Sequence, residues 1–331
     1  MCEISSGTEW FEWRAARQNE IERWRELAGP DWPFFLGPAW SHALAAGLGH
    51  DIRLCGMAEK GGGPVACAAL IRVGTRLGGL LKVARKPWST AYSGPYLFPG
   101  RPESVLAHFL RELQRRYLAV RVVPSPFAEL GANPREAPSG WFAATSHTGV
   151  LDLSQGTGEL WESFDKRARQ RVRKAEKLGV TVAPGRCPDV FARLYRTIYE
   201  HKELAFGIEE RDVARTVRLL AENGAAEVWI ARTAEDEPAA GLVVGRDTGR
   251  AYFLLAGSHP ELRKTDAMTL LWWTVLRELA AQRVGQVDLV GMDEEAVARF
   301  KRSFSPQTLS YPSWETTAWN RAGRLLSRAR Q

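Results

Sequence analysis

The layout of this sequence repeats itself, and the repetition limits what the chain can fold into. Met57-Ala58-Glu59, a glycine turn and Pro64-Val65-Ala66-Cys67-Ala68-Ala69-Leu70-Ile71-Arg72 have a later counterpart. It is Ile230-Ala231-Arg232, an acidic turn and Pro238-Ala239-Ala240-Gly241-Leu242-Val243-Val244-Gly245-Arg246. Each copy reads as a β-hairpin with a polar connection. Each is followed by a long amphipathic helix and a short apolar strand, at 119–123 and at 286–290. Self-similarity at half the chain length points to a tandem duplication of one mixed α/β unit. The 331 residues are enough for two ordinary domains.

Periodicity fills in the two halves. Apolar residues at helical spacing predict helices near 14–27, 38–47 and 103–118, with strand-like runs at 52–59, 64–73 and 119–123. The second half opens with a strand at 150–153 and a long helix at 159–178, stopped by Gly179. A strand at 180–184, helices near 188–203 and 209–223, and strands at 226–233, 238–246 and 249–256 follow. A helix at 265–283, a strand at 286–290 and a short helix at 294–303 complete the series. The expected fold class is α/β in the α+β sense, with two similar domains, 1–147 and 148–317. Each is expected to be a mixed, mostly antiparallel sheet flanked by helices.

Composition narrows the partners. With 45% apolar and 25% charged residues the chain is that of a soluble globular protein, which excludes disorder, collagen and coiled coil. No apolar run reaches the roughly 18–20 residues of a membrane span, and no signal core follows the start, so a cytoplasmic location is expected. Cys2, Cys55, Cys67 and Cys187 have no paired spacing and read as reduced thiols. A net charge of +7 favours an anionic partner.

Familiar catalytic motifs are absent: there is no P-loop, no dinucleotide fingerprint, no His-Glu-x-x-His and no nucleophile elbow. The six His residues have no metal-ligand spacing, so no metal is expected. Two segments carry more. Between 159 and 178, Leu160, Trp161, Phe164, Ala168, Val172 and Ala175 form an apolar stripe. The other face holds Lys166, Arg167, Arg169, Arg171, Arg173, Lys174 and Lys177, with only Asp165 and Glu176 nearby. A solvated face normally interleaves signs, and phosphate suits guanidinium groups. The second segment is Ala298-Arg299-Phe300-Lys301-Arg302-Ser303-Phe304, after the apolar run 287–290. A lysine beyond a strand end is placed to neutralise an oxyanion or a phosphate.

These residues carry a resemblance. The run from Val150-Leu151-Asp152-Leu153 through Lys166-Arg167-Ala168-Arg169-Gln170-Arg171-Val172-Arg173-Lys174-Ala175 to Gly179 is similar to the signature of the Fem-type peptidyltransferases. Asp288-Leu289-Val290-Gly291 with Phe300-Lys301-Arg302-Ser303-Phe304 is similar to that family's closing motif. The likeness covers most of residues 30–318. It implies two tandem GNAT-like (N-acyltransferase) domains, with a C-terminal helix at 318–331 packing back on the first. It further implies transfer of an amino acid from aminoacyl-tRNA to an amine. Carried over, Phe300 and Lys301 match the family's Phe-Lys pair, the lysine steadying the tRNA end or the tetrahedral intermediate. Tyr252 matches an acceptor-site tyrosine. Arg211 with Arg215 stands for an Arg-x-x-x-Tyr whose tyrosine is missing. Trp40-Ser41-His42-Ala43-Leu44 also lacks the lysine usual after the first-domain Trp. Both departures count against a peptidoglycan precursor as acceptor.

The expected function is an aminoacyl-tRNA-dependent aminoacyltransferase, forming an amide on a small peptide or metabolite. It would need no cofactor beyond that co-substrate and would act as a monomer. Lys301 would stabilise the oxyanion, and Lys301→Ala would cut turnover while sparing the fold. Asp288, Asp293 or His201 would take the amine proton, and the 166–177 cations would track tRNA phosphate. An acyl-CoA-dependent N-acyltransferase is the first alternative. Acetyltransferases hold a pyrophosphate on a glycine-rich turn at a helix N-terminus, but the corresponding Arg263-Lys264-Thr265-Asp266-Ala267-Met268 has a carboxylate where glycine belongs. A duplicated domain that only binds RNA is the second.

Overall fold

The structure, a computed structural model, describes residues 8–27, 32–61, 65–76, 81–101, 103–128, 137–185, 187–201 and 207–316. They form two compact units. One holds the described residues up to Ser146, apart from Ala46–Leu48, together with Ser310 onward; the other holds Ala46–Leu48 and His147–Leu309.

In the first unit the chain runs β1 (Thr8–Arg14), α1 (Gln18–Leu27), α2 (Pro38–Leu48), β2 (Ile52–Glu59), β3 (Val65–Arg76), β4 (Leu81–Arg85), β5 (Tyr96–Leu97), α3 (Glu103–Arg116) and β6 (Ala119–Val122). The sheet order is β1-β2-β3-β4-β6, with β5 beside β3. Every pairing is antiparallel except β4 with β6, the pair that α3 connects. Parallel neighbours need such a crossover. α3 buries Val105, Leu106, Phe109, Leu110 and Leu113, a helical stripe that packs on Ala69, Ile71 and Val120 of the sheet.

The second unit repeats this plan. It contains the end of β7 (Trp141–Asp152), then α4 (Thr157–Ser163), α5 (Lys166–Lys177), β8 (Thr181–Pro184), α6 (Pro188–His201) and α7 (Glu210–Glu222). β9 (Ala226–Arg232), β10 (Pro238–Arg246), β11 (Arg250–Ser258), α8 (Ala267–Ala281), β12 (Gln286–Asp288) and α9 (Glu295–Arg302) follow. The strand order is β12-β11-β10-β9-β8, and again one pair is parallel, β11 with β12, joined by α8. β7 closes the outer side of β12, antiparallel, with Val150 opposite Asp288. The last strand, β13 (Gln307–Thr316), leads back to the first unit and pairs with β6 there. Both units are thus mixed, mostly antiparallel sheets flanked by helices, as the repeated hairpins imply. The C-terminal helix expected at 318–331 lies outside the described residues.

Some elements differ from the sequence expectation. The helix expected at 159–178 is two helices, α4 and α5, broken at Phe164 and Asp165. Phe164 is extended (ψ 148°) and buried against Trp273 and Phe304 at 5.4 and 5.0 Å between ring centres. The Asp165 amide donates to the Ser303 carbonyl at 2.9 Å. Tertiary packing of one aromatic ring overrides local helix preference here. The end of α5 follows the sequence signal. Gly179 takes φ +72°, with Val180 N–H on Ala175 O and Gly179 N–H on Glu176 O, a Schellman cap. Strands β1, β4 and β13 carry no clear period-two signal, and Pro312 sits inside β13.

Candidate active site

The site is built where two strands of the second unit part. β11 and β12 pair over three residues only, Arg250–Tyr252 against Gln286–Asp288. β12 then ends while β11 continues to Ser258, leaving the β11 backbone beyond Tyr252 without a strand on that side. A bulge adds to the opening. Val243 faces Leu255 and Val244 faces Phe253, so Leu254 faces no residue of β10. An extra residue of this kind bends its strand and takes one peptide out of the ladder.

A cavity of about 620 Å³ occupies the gap. Phe253, Leu254, Ala256 and Ser258 of β11, Met268 and Trp272 of α8, and Val297, Phe300 and Lys301 of α9 line it. Trp272 is the centre of its aromatic wall, with Phe253, Phe300 and Phe304 at 4.8, 5.0 and 5.2 Å between ring centres. Its buried indole N–H has no hydrogen-bond acceptor among the described residues. Gly257 lets β11 approach α6: a Cβ there would stand 2.6 Å from the Tyr195 nitrogen and 2.7 Å from the Leu194 carbonyl carbon.

Lys301 lines the cavity, yet its ammonium is fully engaged. Nζ donates to the carbonyls of Leu289 (2.8 Å), Val290 (2.5 Å) and Gly291 (2.7 Å). This turn is strained, since Val290 has φ +52° and a β-branched residue avoids that region. Asp288 holds the same turn from the other side, accepting from Val290 N–H at 2.8 Å and from the Thr148 hydroxyl at 2.5 Å. Burial pushes the Lys301 ammonium down to about 8, against the pull of Asp288, Asp293 and Glu294. The two residues read from the sequence as catalytic are therefore brought together as the two clamps of one turn. An oxyanion role would require Lys301 to release a carbonyl. The expectation that Lys301→Ala spares the fold is corrected accordingly, because the side chain is 7% exposed and carries three bonds.

The other expected site residues divide. Phe300 is on the cavity wall. Tyr252 is not: it is buried, its hydroxyl donates to Asp247 at 2.8 Å, and burial pushes the phenol pKa up. Asp288 is fully buried and outside the wall. Arg211 and Arg215 are exposed on α7, away from the cavity lining. Asp293 accepts the His147 backbone N–H at 2.9 Å, and the His201 side chain lies outside the described residues.

The cations of α5 are partly neutralised. Ala168, Val172 and Ala175 are buried, as the stripe predicts. Arg169 pairs with Glu162, and the Arg173 guanidinium sits 5.7 Å from the Trp161 ring centre. Lys174 and Arg171 reach Asp266 at 2.8 and 3.8 Å. Lys166, Arg167 and Lys177 have no ion pair among the described residues. Arg171 continues the row onto the cavity wall, beside the exposed Arg263. Asp266 takes the left-handed conformation (φ 56°) at the start of α8, and its side chain makes no cap bond. A carboxylate-bearing residue thus heads α8, and its negative charge works against an anion at that N-terminus although the side chain itself turns to Lys174 and Arg171.

Sequence reasoning missed the Leu254 bulge, the Trp272 wall and the Asp266–Lys174 pair. Only the Asp266 substitution in the turn before α8 left a readable signal. Among the described residues no group of three His, Cys, Asp or Glu is placed to hold a metal ion, no helix is long and apolar enough to cross a membrane, and Cys55, Cys67 and Cys187 are free thiols.

Comparison with known proteins places this geometry. Residues 162–302 match the family model described as an acetyltransferase (GNAT) domain, a span that contains the whole cavity lining. No curated protein sequence matches the chain. Among solved structures it resembles FemX, at 13% identity and a TM-score of 0.63 over 92% of this chain and 96% of that one. A C-terminal domain assigned to a lysylphosphatidylglycerol synthetase from Agrobacterium fabrum gives 14% and 0.59 over 93% and 95%. A tandem GNAT protein from the clavulanic acid biosynthesis pathway gives 18% and 0.51 over 94% and 98%. At these identities the likeness is one of fold. The chain has the fold of the Fem-type and tandem-GNAT proteins, with a GNAT domain at residues 162–302.

Proposed function

We propose that this protein is an acyltransferase that moves an aminoacyl group from a charged tRNA to the amine of a small peptide or metabolite, in the cavity between β11 and α9. The observation that carries the reading is the pairing of two features at one wall. The cation row of α5 leads to the cavity through Arg171, while Asp266, paired with Lys174 and Arg171 and not bonded to the α8 amides, puts a carboxylate at the residue that heads α8. The first suits a polyanionic carrier that approaches from outside; the second works against a diphosphate seated on the helix. A tRNA held by its phosphates needs no base reading. Cytoplasmic action follows from that donor.

The chemistry asks little of the protein. The donor ester already stores the energy, so catalysis is mainly orientation of amine against carbonyl. A C–N bond forms at the carbonyl carbon as the acyl C–O bond to the ribose oxygen breaks, and the proton lost by the amine ends on that ribose oxygen. Leu254, out of register with β10 and on the cavity wall, is the residue whose peptide N–H this reading assigns to the growing oxyanion. Lys301 and Asp288 act behind it by fixing the Leu289–Gly291 turn.

The acyl-CoA reading is favoured by one feature, the unpaired β11 edge inside a domain that matches a GNAT model. Single-turnover incubation with charged tRNA and a mixture of primary amines, run beside acetyl-CoA and read by mass spectrometry, tests both. Amide products from charged tRNA alone support the proposal. Products from acetyl-CoA alone overturn it, and salt-sensitive tRNA binding without any product leaves an RNA-binding protein.

A further inference from the structure

We infer that the acyl group this cavity accepts has a large, apolar and uncharged side chain, of the aliphatic or aromatic aminoacyl kind. This rests on reading the cavity as the acyl-donor site, and three observations carry it.

Size is the first. About 620 Å³ is typical of pockets for ligands well above acetyl or glycyl in bulk. A small acyl group would leave most of the wall without partner atoms and forfeit their dispersion attraction. Shape is the second. Leu254, Met268, Trp272, Val297 and Phe300 present a mostly apolar surface, and Trp272 is held edge-on by Phe253 and Phe300. A rigid aromatic wall suits a branched or ring side chain.

Charge is the third. Three of the charged groups on the wall are already committed. The Lys301 ammonium spends its three N–H bonds on carbonyls, and Asp266 is shared by Lys174 and Arg171. Arg263 is exposed and without an ion pair among the described residues, and this reading leaves it for the donor's phosphates. A cationic side chain would find no free carboxylate on this wall. An acidic one would find no free cation except at that exposed position. Burying either unpaired charge is costly, so the wall selects against both. Ser258 and Thr269 add only neutral hydroxyls.

Calorimetry on the full chain with non-hydrolysable 3′-aminoacylamido-adenosines tests this without knowledge of the acceptor. The leucyl and phenylalanyl analogues are expected to bind about 30-fold more tightly than the glycyl one, the worth of burying one such side chain. Aspartyl and lysyl analogues should rank with glycyl or below. Equal binding across the series, or a preference for a charged analogue, overturns the inference and leaves the donor reading standing. If no analogue binds but acyl-CoA does, the donor reading fails, and isovaleryl-CoA against acetyl-CoA repeats the comparison; no preference there overturns the inference too. Absence of binding by every probe overturns both. Ala256→Asp and Met268→Glu each place a carboxylate on the partly buried wall and should shift the order toward lysyl. Variants with wild-type melting and an unchanged order count against it.

Discussion

Replacing Lys301 with Met removes the ammonium and keeps most of the volume. Three contacts of 2.5 to 2.8 Å are lost. Bonds from a charged donor are worth about 1.5–3 kcal/mol each, so the gross loss is roughly 5–9 kcal/mol. Two effects offset it. Burial, net of the pull of Asp288, Asp293 and Glu294, holds the Lys301 pKa near 8 instead of 10.5, and about 3 kcal/mol of net unfavourable electrostatics disappears with the charge. Val290 and Gly291 are half-exposed, so water re-solvates part of their carbonyls. The net loss expected is about 2–4 kcal/mol, or roughly 5–15 °C in melting temperature for a unit of this size. Lys301→Arg is expected to fail as well, because a planar fork does not direct three N–H groups at carbonyls arranged around a point. Circular dichroism melting checks the magnitude, and amide exchange at Val290 and Gly291 checks the location. A Lys301→Met protein that melts within about 1 °C of the parent yet transfers nothing would refute the clamp and return the lysine to direct chemistry.

Three further predictions concern other parts of the account. The folded chain releases the Lys301 proton about two and a half pH units before the unfolded chain does, so its burial penalty is complete below pH 8 and fades toward 10.5. Stability from this group therefore rises across that window, and NMR of lysine-labelled protein should show one resonance titrating near 8; titration of every lysine near 10.5 contradicts it. Changing Lys166, Arg167 and Lys177 to Gln should lower the salt slope of tRNA binding by about 2–3, and an unchanged slope removes α5 from the interface. Gly257→Ala drives a Cβ into α6 backbone and should cost more than about 2 kcal/mol in urea unfolding; a neutral result would mean that α6 gives way easily.

What could be read in advance was what repeats or alternates locally. The hairpins 52–59 with 64–73 and 226–233 with 238–246 gave up the architecture, because each is short-range and occurs twice. The stripe Ala168, Val172, Ala175 gave up the buried face of α5. The break at Phe164 was not legible, because its cause is rings more than a hundred residues away. The Leu254 bulge depends on the register of β10 against β11, which no single strand encodes. Lys301 is the clearest case: its position after the strand was visible, but a surface lysine and one ringed by carbonyls have the same sequence. Only the distances to Leu289, Val290 and Gly291 tell them apart.

The most direct test of the proposed site is a crystal structure of the protein soaked with a non-hydrolysable leucyl-adenosine amide. The account predicts the acyl carbonyl beside the Leu254 peptide, the leucyl side chain between Trp272 and Phe300, and the Lys301 bonds to the Leu289–Gly291 carbonyls intact. An analogue bound outside the cleft between β11 and α9, or one whose carbonyl is held by a Lys301 freed from that turn, would contradict it.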